Sequence, residues 1–121
     1  MTKGYYPNQH QIIVSVDYDQ IEQVIINLLI NAMEAVNGRQ QPEINIKIIS
    51  NKTNHHQIII SDNGKGIDAE DLDKIFIPFY TTKKEGSGIG LSLSRQIMRM
   101  HKGSITVNSE PGQGSEFILA F

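Results

Sequence analysis

The 121-residue chain contains no cysteine, which excludes disulfide bonds and thiolate metal sites. Its formal net charge is -2, so there is no overall positive charge to attract nucleic acid. The polar amino terminus lacks the apolar core of a signal peptide, and no apolar run approaches the ~20 residues that cross a bilayer. These absences predict a cytoplasmic domain without nucleic-acid binding or direct membrane contact, in which any anion site is local.

The hydrophobic fraction of 39% is sufficient for one compact domain spanning residues 1–121. Periodicity predicts strands at 12–16, 44–48, 58–60, 104–108 and 115–121, and helices at about 17–38 and 89–101. A short helical turn is predicted at 70–76, capped by Asp68. Ile44, Ile46 and Ile48 alternate with polar residues, which predicts a half-buried strand. The order β-α-β-β-loop-α-β-β favours an α+β fold, with helices on one face of a mixed, mainly antiparallel sheet.

Two asparagines interrupt the most apolar predicted helix. Asn27 and Asn31 are four residues apart, so they share one helix face. A buried amide without a partner costs about 1–3 kcal/mol, so both side chains need partners. They are either core asparagines satisfied by backbone or part of a site. In a site, an amide oxygen could ligate Mg²⁺, which prefers oxygen ligands and often shares its shell with phosphates.

The segment after the 58–60 strand is long and rich in glycine, so it is either a functional loop or a disordered one. Asp62 opens it, either as a turn residue before glycine or as a ligand contact. An ionised carboxylate only accepts hydrogen bonds, so Asp62 suits the amine of adenine better than the keto oxygen of guanine. Glycines 86, 88 and 90 lead into a predicted helix, where free N–H groups and the helix dipole favour phosphate. Neither a Walker A nor a Rossmann fingerprint is present.

Four motifs occur in a fixed order: NLLINA (27–32), DNGKGI (62–67), FIPFYTTK (76–83) and GSGIGLSLSRQIM (86–98). They resemble the N, G1, F and G2 boxes of the catalytic, ATP-binding domain of bacterial sensor histidine kinases. That family lies in the superfamily of gyrase B, Hsp90 and MutL. PGQGSEF (111–117) also fits, so the resemblance covers nearly the whole chain. It implies a two-layer α/β sandwich that binds ATP between the N-box helix and a lid at about 68–87.

The resemblance also implies residue roles. Asn31 matches the Mg²⁺-binding asparagine, Asn27 matches its neighbour facing the phosphates, and Asp62 matches the adenine acceptor. The resemblance therefore implies that Asn27 and Asn31 are catalytic residues. Phe76 and Phe79 are expected to anchor the lid in the core. The residues expected to bind ATP are Asn31, Glu34, Asp62, Gly64, Gly66, Ile67, Thr82, Lys83, Gly86, Ser87, Gly88, Ile89, Gly90, Leu91 and Ser115.

One position departs from the family pattern. Many relatives carry lysine or arginine three residues after the Mg²⁺ asparagine, where this chain has Glu34. The nitrogen-regulation-like subgroup tolerates an acidic residue there and has the TTK-type F box that this chain shares. We expect Lys83 to supply the missing positive charge as a catalytic residue, because charge moves on the γ-phosphate during transfer. The alternative is that Lys83 and Lys84 are solvated surface lysines.

A phosphoacceptor histidine of this family is normally followed by an acidic residue. None of the four histidines of this chain is, namely His10, His55, His56 and His101. The chain is therefore expected to be the ATP-binding part of a longer kinase, whose dimerisation and phosphoacceptor domain precedes Met1. The expected partners are that domain and, through phosphohistidine, a response regulator. The fragment is expected to be monomeric and the parent homodimeric, and whether the parent is anchored in the bacterial inner membrane stays open.

Two other functions remain open. A self-contained ATPase of the gyrase, Hsp90 or MutL type resembles this chain but carries a glutamate base where Asn27 stands. The serine-phosphorylating anti-sigma factors also usually keep that glutamate. The other alternative is a regulatory module that binds nucleotide and transfers nothing, such as a degenerate kinase domain. The intact glycine clusters of this chain argue against degeneration.

Overall fold

The structure is a computed structural model that describes residues 2–4, 12–14, 16–51, 55–81 and 88–121. No helix among these residues is long and apolar enough to cross a membrane. The elements are β1 (Thr2–Gly4), β2 (Ile12–Val14), α1 (Tyr18–Ala35), β3 (Ile44–Ser50), β4 (His56–Asp62), α2 (Ala69–Leu72), α3 (Gly90–Met100), β5 (Ser104–Glu110) and β6 (Gly114–Ala120).

The main sheet has four strands in the order β3-β4-β6-β5, and every neighbouring pair is antiparallel. Helix α1 packs on β4 and β6, and α3 packs on β5. The predicted α+β fold with helices covering a sheet is therefore confirmed. The strand predicted at 12–16 forms as β2, but it pairs with β1 in a separate two-stranded sheet. The register places Asp62, at the end of β4, opposite Ser115 of β6.

Helix α1 forms where its pattern predicts. The Asp17 side chain accepts a hydrogen bond from the Gln20 N–H at 3.2 Å, which satisfies one of the unpaired donors of the first turn. The helix ends at Ala35, and Gly38 follows with φ +90. The buried side of α1 consists of Ile21, Val24, Leu28 and Ala32.

The core lies between the helices and the sheet. Met98 of α3 and Leu119 of β6 have no exposed surface, and Ile60 of β4 is almost completely buried. Burying an aliphatic side chain of this size stabilises the fold by roughly 1.5–3 kcal/mol. The core residues are Ile21, Val24, Leu28, Ile60, Ile75, Ile97, Met98, Ile105, Phe117 and Leu119.

Helix α3 ends at a left-handed turn and is tied to the start of α1. Lys102 has φ +60, and the Gly103 N–H donates to the Met98 carbonyl at 2.8 Å, which is the Schellman arrangement. His101 accepts a hydrogen bond from the Asp17 N–H at 3.0 Å. This contact links the carboxyl end of α3 to the amino end of α1.

The predicted half-buried character of β3 is wrong. Ile46 is 55% exposed, and Ile48 and Ile49 are also exposed. The reason is that β3 forms the edge of the sheet, whereas α1 and α3 pack on the other three strands. Alternation in the sequence predicted the strand correctly, but it could not reveal which strands the helices cover.

The segment that follows the G1 motif differs in two respects from its prediction. Its helix, α2, has only four residues and continues as turns, and the side chain of Asp68 makes no capping bond. Phe76 packs against the core as expected, but Phe79 is 74% exposed, so its predicted role as a core anchor is wrong. Phe79 has a left-handed backbone, with φ +69, and its N–H donates to the Gly88 carbonyl at 2.9 Å.

Candidate functional site

A cavity of about 530 Å³ lies between α1, the carboxyl end of β4, α2 and the start of α3. This volume is within the usual range for small-molecule sites. The cavity is lined by Asn31, Glu34, Ala35, Asp62, Lys65, Gly66, Ile67, Asp68, Asp71, Ile75, Tyr80, Thr81, Gly88, Gly90, Leu91, Ser115 and Phe117.

Asp62 places a carboxylate at one end of this cavity. Its Oδ1 accepts a hydrogen bond from the Gly64 N–H at 2.8 Å, and the Ser115 backbone also bonds to it. Burial raises the pKa of the Asp62 carboxyl, while the hydrogen bonds from Gly64 and Ser115 act in the opposite direction. The result is an oriented acceptor at the edge of the apolar core, which is the chemistry needed to bind an exocyclic amine.

The G1 turn (residues 62–66) takes a path that only glycine allows at its last position. Gly66 has φ +73, and a Cβ added there would collide with the Glu110 carbonyl. The turn is thereby held against the β5–β6 turn, where the Gly112 N–H donates to the Lys65 carbonyl at 2.7 Å. Asp62, Lys65 and Gly66 of the G1 turn line the cavity, whereas residues 111–113 of the β5–β6 turn do not and act only as a support for the G1 turn.

The amino end of α3 forms the opposite end of the cavity through Gly88, Gly90 and Leu91. Gly88 has φ +73, and a Cβ there would collide with the backbone of Phe79. Ile89 occupies the N-cap position and has no polar side chain with which to cap the helix. An 11-residue helix that begins at a cavity in this way presents N–H groups and the positive end of its dipole to an anion.

The two asparagines of α1 have different surroundings. Asn31 lines the cavity, as does Glu34 one turn later. Asn27 does not line it: its Nδ2 donates to the Gly90 carbonyl at 3.3 Å, and its Oδ1 accepts from Gln23 at 3.0 Å. Asn27 therefore ties α1 to the first turn of α3, and its expected catalytic role stays a prediction.

The structure brings together nine of the residues expected at the site, from four separate segments. They are Asn31, Glu34, Asp62, Gly66, Ile67, Gly88, Gly90, Leu91 and Ser115. Gly64 and Ile89 belong to the same segments but do not line the cavity. Thr82, Lys83, Gly86 and Ser87 lie outside the described residues, as does that part of the expected lid.

The sequence did not identify the cavity wall formed by Tyr80 and Asp71. The Tyr80 hydroxyl donates a hydrogen bond to the Asp71 carboxylate, and this bond raises the pKa of Tyr80. The pair joins the F-box segment to α2. The nine-residue separation does not correspond to any helix or strand period, so no sequence pattern could have indicated the contact.

A two-layer sandwich with a cavity between α1, the G1 turn and α3 defines an ATP-binding domain of the class that the four boxes predicted. The sequence model of the histidine kinase-, DNA gyrase B- and HSP90-like ATPases matches residues 16–121. The chain belongs to this family.

Sensor histidine kinases are among its relatives. The chain is 42% identical over 106 residues to the signal transduction histidine-protein kinase AtoS of Escherichia coli strain K12, covering 88% of this chain and 17% of AtoS. It is 41% identical to the sensor histidine kinase ZraS of the same strain, covering 88% of this chain and 22% of ZraS. The chain thus spans about a fifth of the length of these relatives.

A solved structure agrees with the same assignment. The catalytic domain of the histidine kinase ThkA superposes with a TM-score of 0.76 at 35% identity, covering 89% of this chain and 69% of that one. The predicted resemblance to the ATP-binding domain of sensor histidine kinases is therefore confirmed, together with its two-layer fold.

Proposed function

We propose that this domain binds Mg·ATP in the cavity and donates the γ-phosphate to a histidine on a separate dimerisation domain, in two-component signal transduction. The observation that carries the proposal is the arrangement of three groups around one cavity. Asp62 offers an acceptor at one end, the amino end of α3 offers N–H donors at the other, and Asn31 lies on the helix between them.

In this proposal, the base and the phosphates of the nucleotide lie at different ends of the cavity. The adenine amine would donate to Asp62, with Ile67, Ile75 and Phe117 supplying apolar surface for the base. The phosphates would lie at Gly88 and Gly90, where the helix dipole favours negative charge.

The residues present also fit a magnesium ion. Asn31 and Glu34 lie one helical turn apart on α1 and line the same cavity. Their amide and carboxylate oxygens are ligands that Mg²⁺ prefers. Asn31 would hold the ion, with Glu34 beside it. When bound, Mg²⁺ would neutralise part of the phosphate charge.

The geometry of Asn27 supports a kinase over a self-contained ATPase. An amide cannot remove a proton from water near neutral pH. The Asn27 side chain is also occupied in hydrogen bonds to Gly90 and Gln23. Transfer to a histidine needs no such base at this position, because the imidazole is itself the nucleophile.

The parent protein would supply the remaining parts. Its dimerisation domain would carry the acceptor histidine and make it a homodimer, and a cytoplasmic response regulator would take the phosphoryl group from the histidine. The family of the relatives supports this view. The domain described here would then act in the cytoplasm, as a monomer when isolated.

The reconstituted reaction tests this proposal. We expect the purified domain to bind ATP by calorimetry and to release phosphate at a negligible rate. Adding the histidine-bearing dimerisation domain in trans should produce phosphohistidine from [γ-³²P]ATP, and a variant of that domain without its histidine should remain unlabelled. Robust steady-state phosphate release by the domain alone would support the ATPase, and binding without transfer would support a regulatory module.

Glu34 cannot supply positive charge at the phosphate end of the site, and we expect Lys83 to supply it. Lysine acts on phosphate as a flexible point charge. In the reconstituted kinase, Lys83→Ala should lower the rate of phosphotransfer at least about tenfold, because a transition-state contact with developing charge is lost. ADP affinity should change little. Lys84→Ala is the matched control, and equal small effects from both variants would contradict the role of Lys83.

A further inference from the structure

The connector between α1 and β3 (residues 37–43) contains an arginine that bridges two other turns. The Arg39 Nη2 donates to the Gly64 carbonyl at 2.7 Å and to the Gly112 carbonyl at 2.9 Å. Gly64 belongs to the G1 turn, and Gly112 belongs to the β5–β6 turn. One guanidinium group therefore joins three segments that are 25 and 73 residues apart in the chain.

The connector follows the G1 turn closely on its other side. The Asn63 N–H donates to the Glu43 carbonyl at 3.2 Å, and the Asn63 Oδ1 accepts from the Glu43 N–H at 2.8 Å. The Asn63 Nδ2 donates to the Gln41 carbonyl at 2.8 Å. The path of the G1 turn is thus set by the connector as well as by its own glycines.

Gly64 links this support to the recognition group. Its N–H donates to the Asp62 carboxylate at 2.8 Å, while its carbonyl accepts from Arg39. A change in the direction of the Gly64 carbonyl would alter the contact that orients the carboxylate. The Gly64 carbonyl and the Lys65 N–H belong to the same peptide unit, and the Lys65 N–H donates to the Ala35 carbonyl at 3.1 Å. This peptide is therefore held between Arg39 on one side and the end of α1 on the other.

We infer that Arg39 is a positioning residue for base recognition, which fixes the G1 turn so that Asp62 presents its carboxylate to the adenine amine. The inference rests on the proposed function. A guanidinium suits this position because its charged, planar group forms strong hydrogen bonds to carbonyl oxygens in a fixed geometry. Its effect is expected at the base end, because the G1 turn bonds to Ala35 near the end of α1, whereas Gly90 accepts from Asn27 about two helical turns earlier.

The test measures nucleotide affinity in the 121-residue chain by calorimetry. Arg39→Ala should weaken ATP and ADP by the same factor, about tenfold, because charged hydrogen bonds to the turn are lost. GTP should be weakened less, so the ratio of ATP to GTP affinity falls. Arg39→Lys keeps a donor near the carbonyls and should restore part of this ratio. Arg99→Ala, at an exposed position in the last turn of α3, is the matched control and should bind as the wild type does.

Melting temperatures separate positioning from a general loss of fold. Loss of fold would weaken ATP and GTP equally, without recovery in Arg39→Lys, and that result would overturn the inference. Unchanged ATP affinity in Arg39→Ala would overturn it too. If the alanine variant fails to fold, Arg39→Lys alone must show a reduced ATP-to-GTP ratio at an unchanged melting temperature, or the inference fails. A wild type that binds no ATP would instead remove the proposed function, and the inference with it.

Discussion

Asp62→Asn is expected to weaken ATP binding about 100-fold, because the adenine amine would lose a charged acceptor and meet an amide donor in its place. A site built around one hydrogen bond discriminates strongly against a ligand that cannot form it, since its own polar atoms are left unpaired. For the same reason the wild type should bind GTP poorly. Calorimetry with ATP, ADP and GTP measures both effects.

The same substitution should stabilise the protein in the absence of nucleotide. Burial raises the pKa of the Asp62 carboxyl from its ordinary 3.8, so the folded state binds the proton more tightly than the unfolded state does. The stability contributed by this group is present below pH 3.8 and is lost as the pH rises through the folded pKa. Asp62→Asn should therefore melt at a higher temperature than the wild type at neutral pH, and the difference should shrink in acid.

Asp73→Asn provides the control for both measurements, since Asp73 is exposed at the end of α2 and does not line the cavity. It should leave ATP affinity unchanged. Comparable affinities of the wild type for ATP and GTP, or unchanged ATP affinity in Asp62→Asn, would contradict the role of Asp62 as the base acceptor.

Local patterns predicted much of this fold because the physical causes were local. The Asp17 cap, the apolar side of α1 and Gly38 beyond its end are all visible in a short stretch of sequence. The exposure of Ile46 on β3 was not predictable in this way, because it depends on which strands the helices cover. Burial at a sheet edge is a property of the whole fold.

The candidate site, like the fold, was predictable from the sequence only where its features are local. The glycine spacings and Asp62 were visible because a turn and a helix start have short sequence signals. The contacts that surround them join distant segments, such as Arg39 with Gly112 or Asn27 with Gly90. Nothing in a helix or strand period encodes such pairs, so the residues proposed to contact the nucleotide were easier to predict from the sequence than those that support them.

Asn31→Ala is expected to remove the Mg²⁺ dependence of ATP binding. Asn31 lies on α1 and lines the cavity together with Glu34, and its amide oxygen is a suitable ligand for the ion. Losing even an outer-sphere partner of a metal ligand lowers metal affinity about 10–100-fold, so losing a direct ligand should cost at least that much. Alanine is the most favourable helix residue, so α1 should stay intact.

The measurement compares ATP affinity in Mg²⁺ with ATP affinity in EDTA for each protein. The wild type should bind much more tightly in Mg²⁺, whereas Asn31→Ala should bind ATP with nearly the same, weak affinity in both. Asn37→Ala is the matched control, because Asn37 is exposed just beyond the end of α1 and does not line the cavity. It should keep the wild-type response to Mg²⁺. Because the base end of the site is untouched, Asn31→Ala should still prefer ATP to GTP in EDTA. An unchanged Mg·ATP affinity in Asn31→Ala would contradict the prediction and show that the ion is held elsewhere.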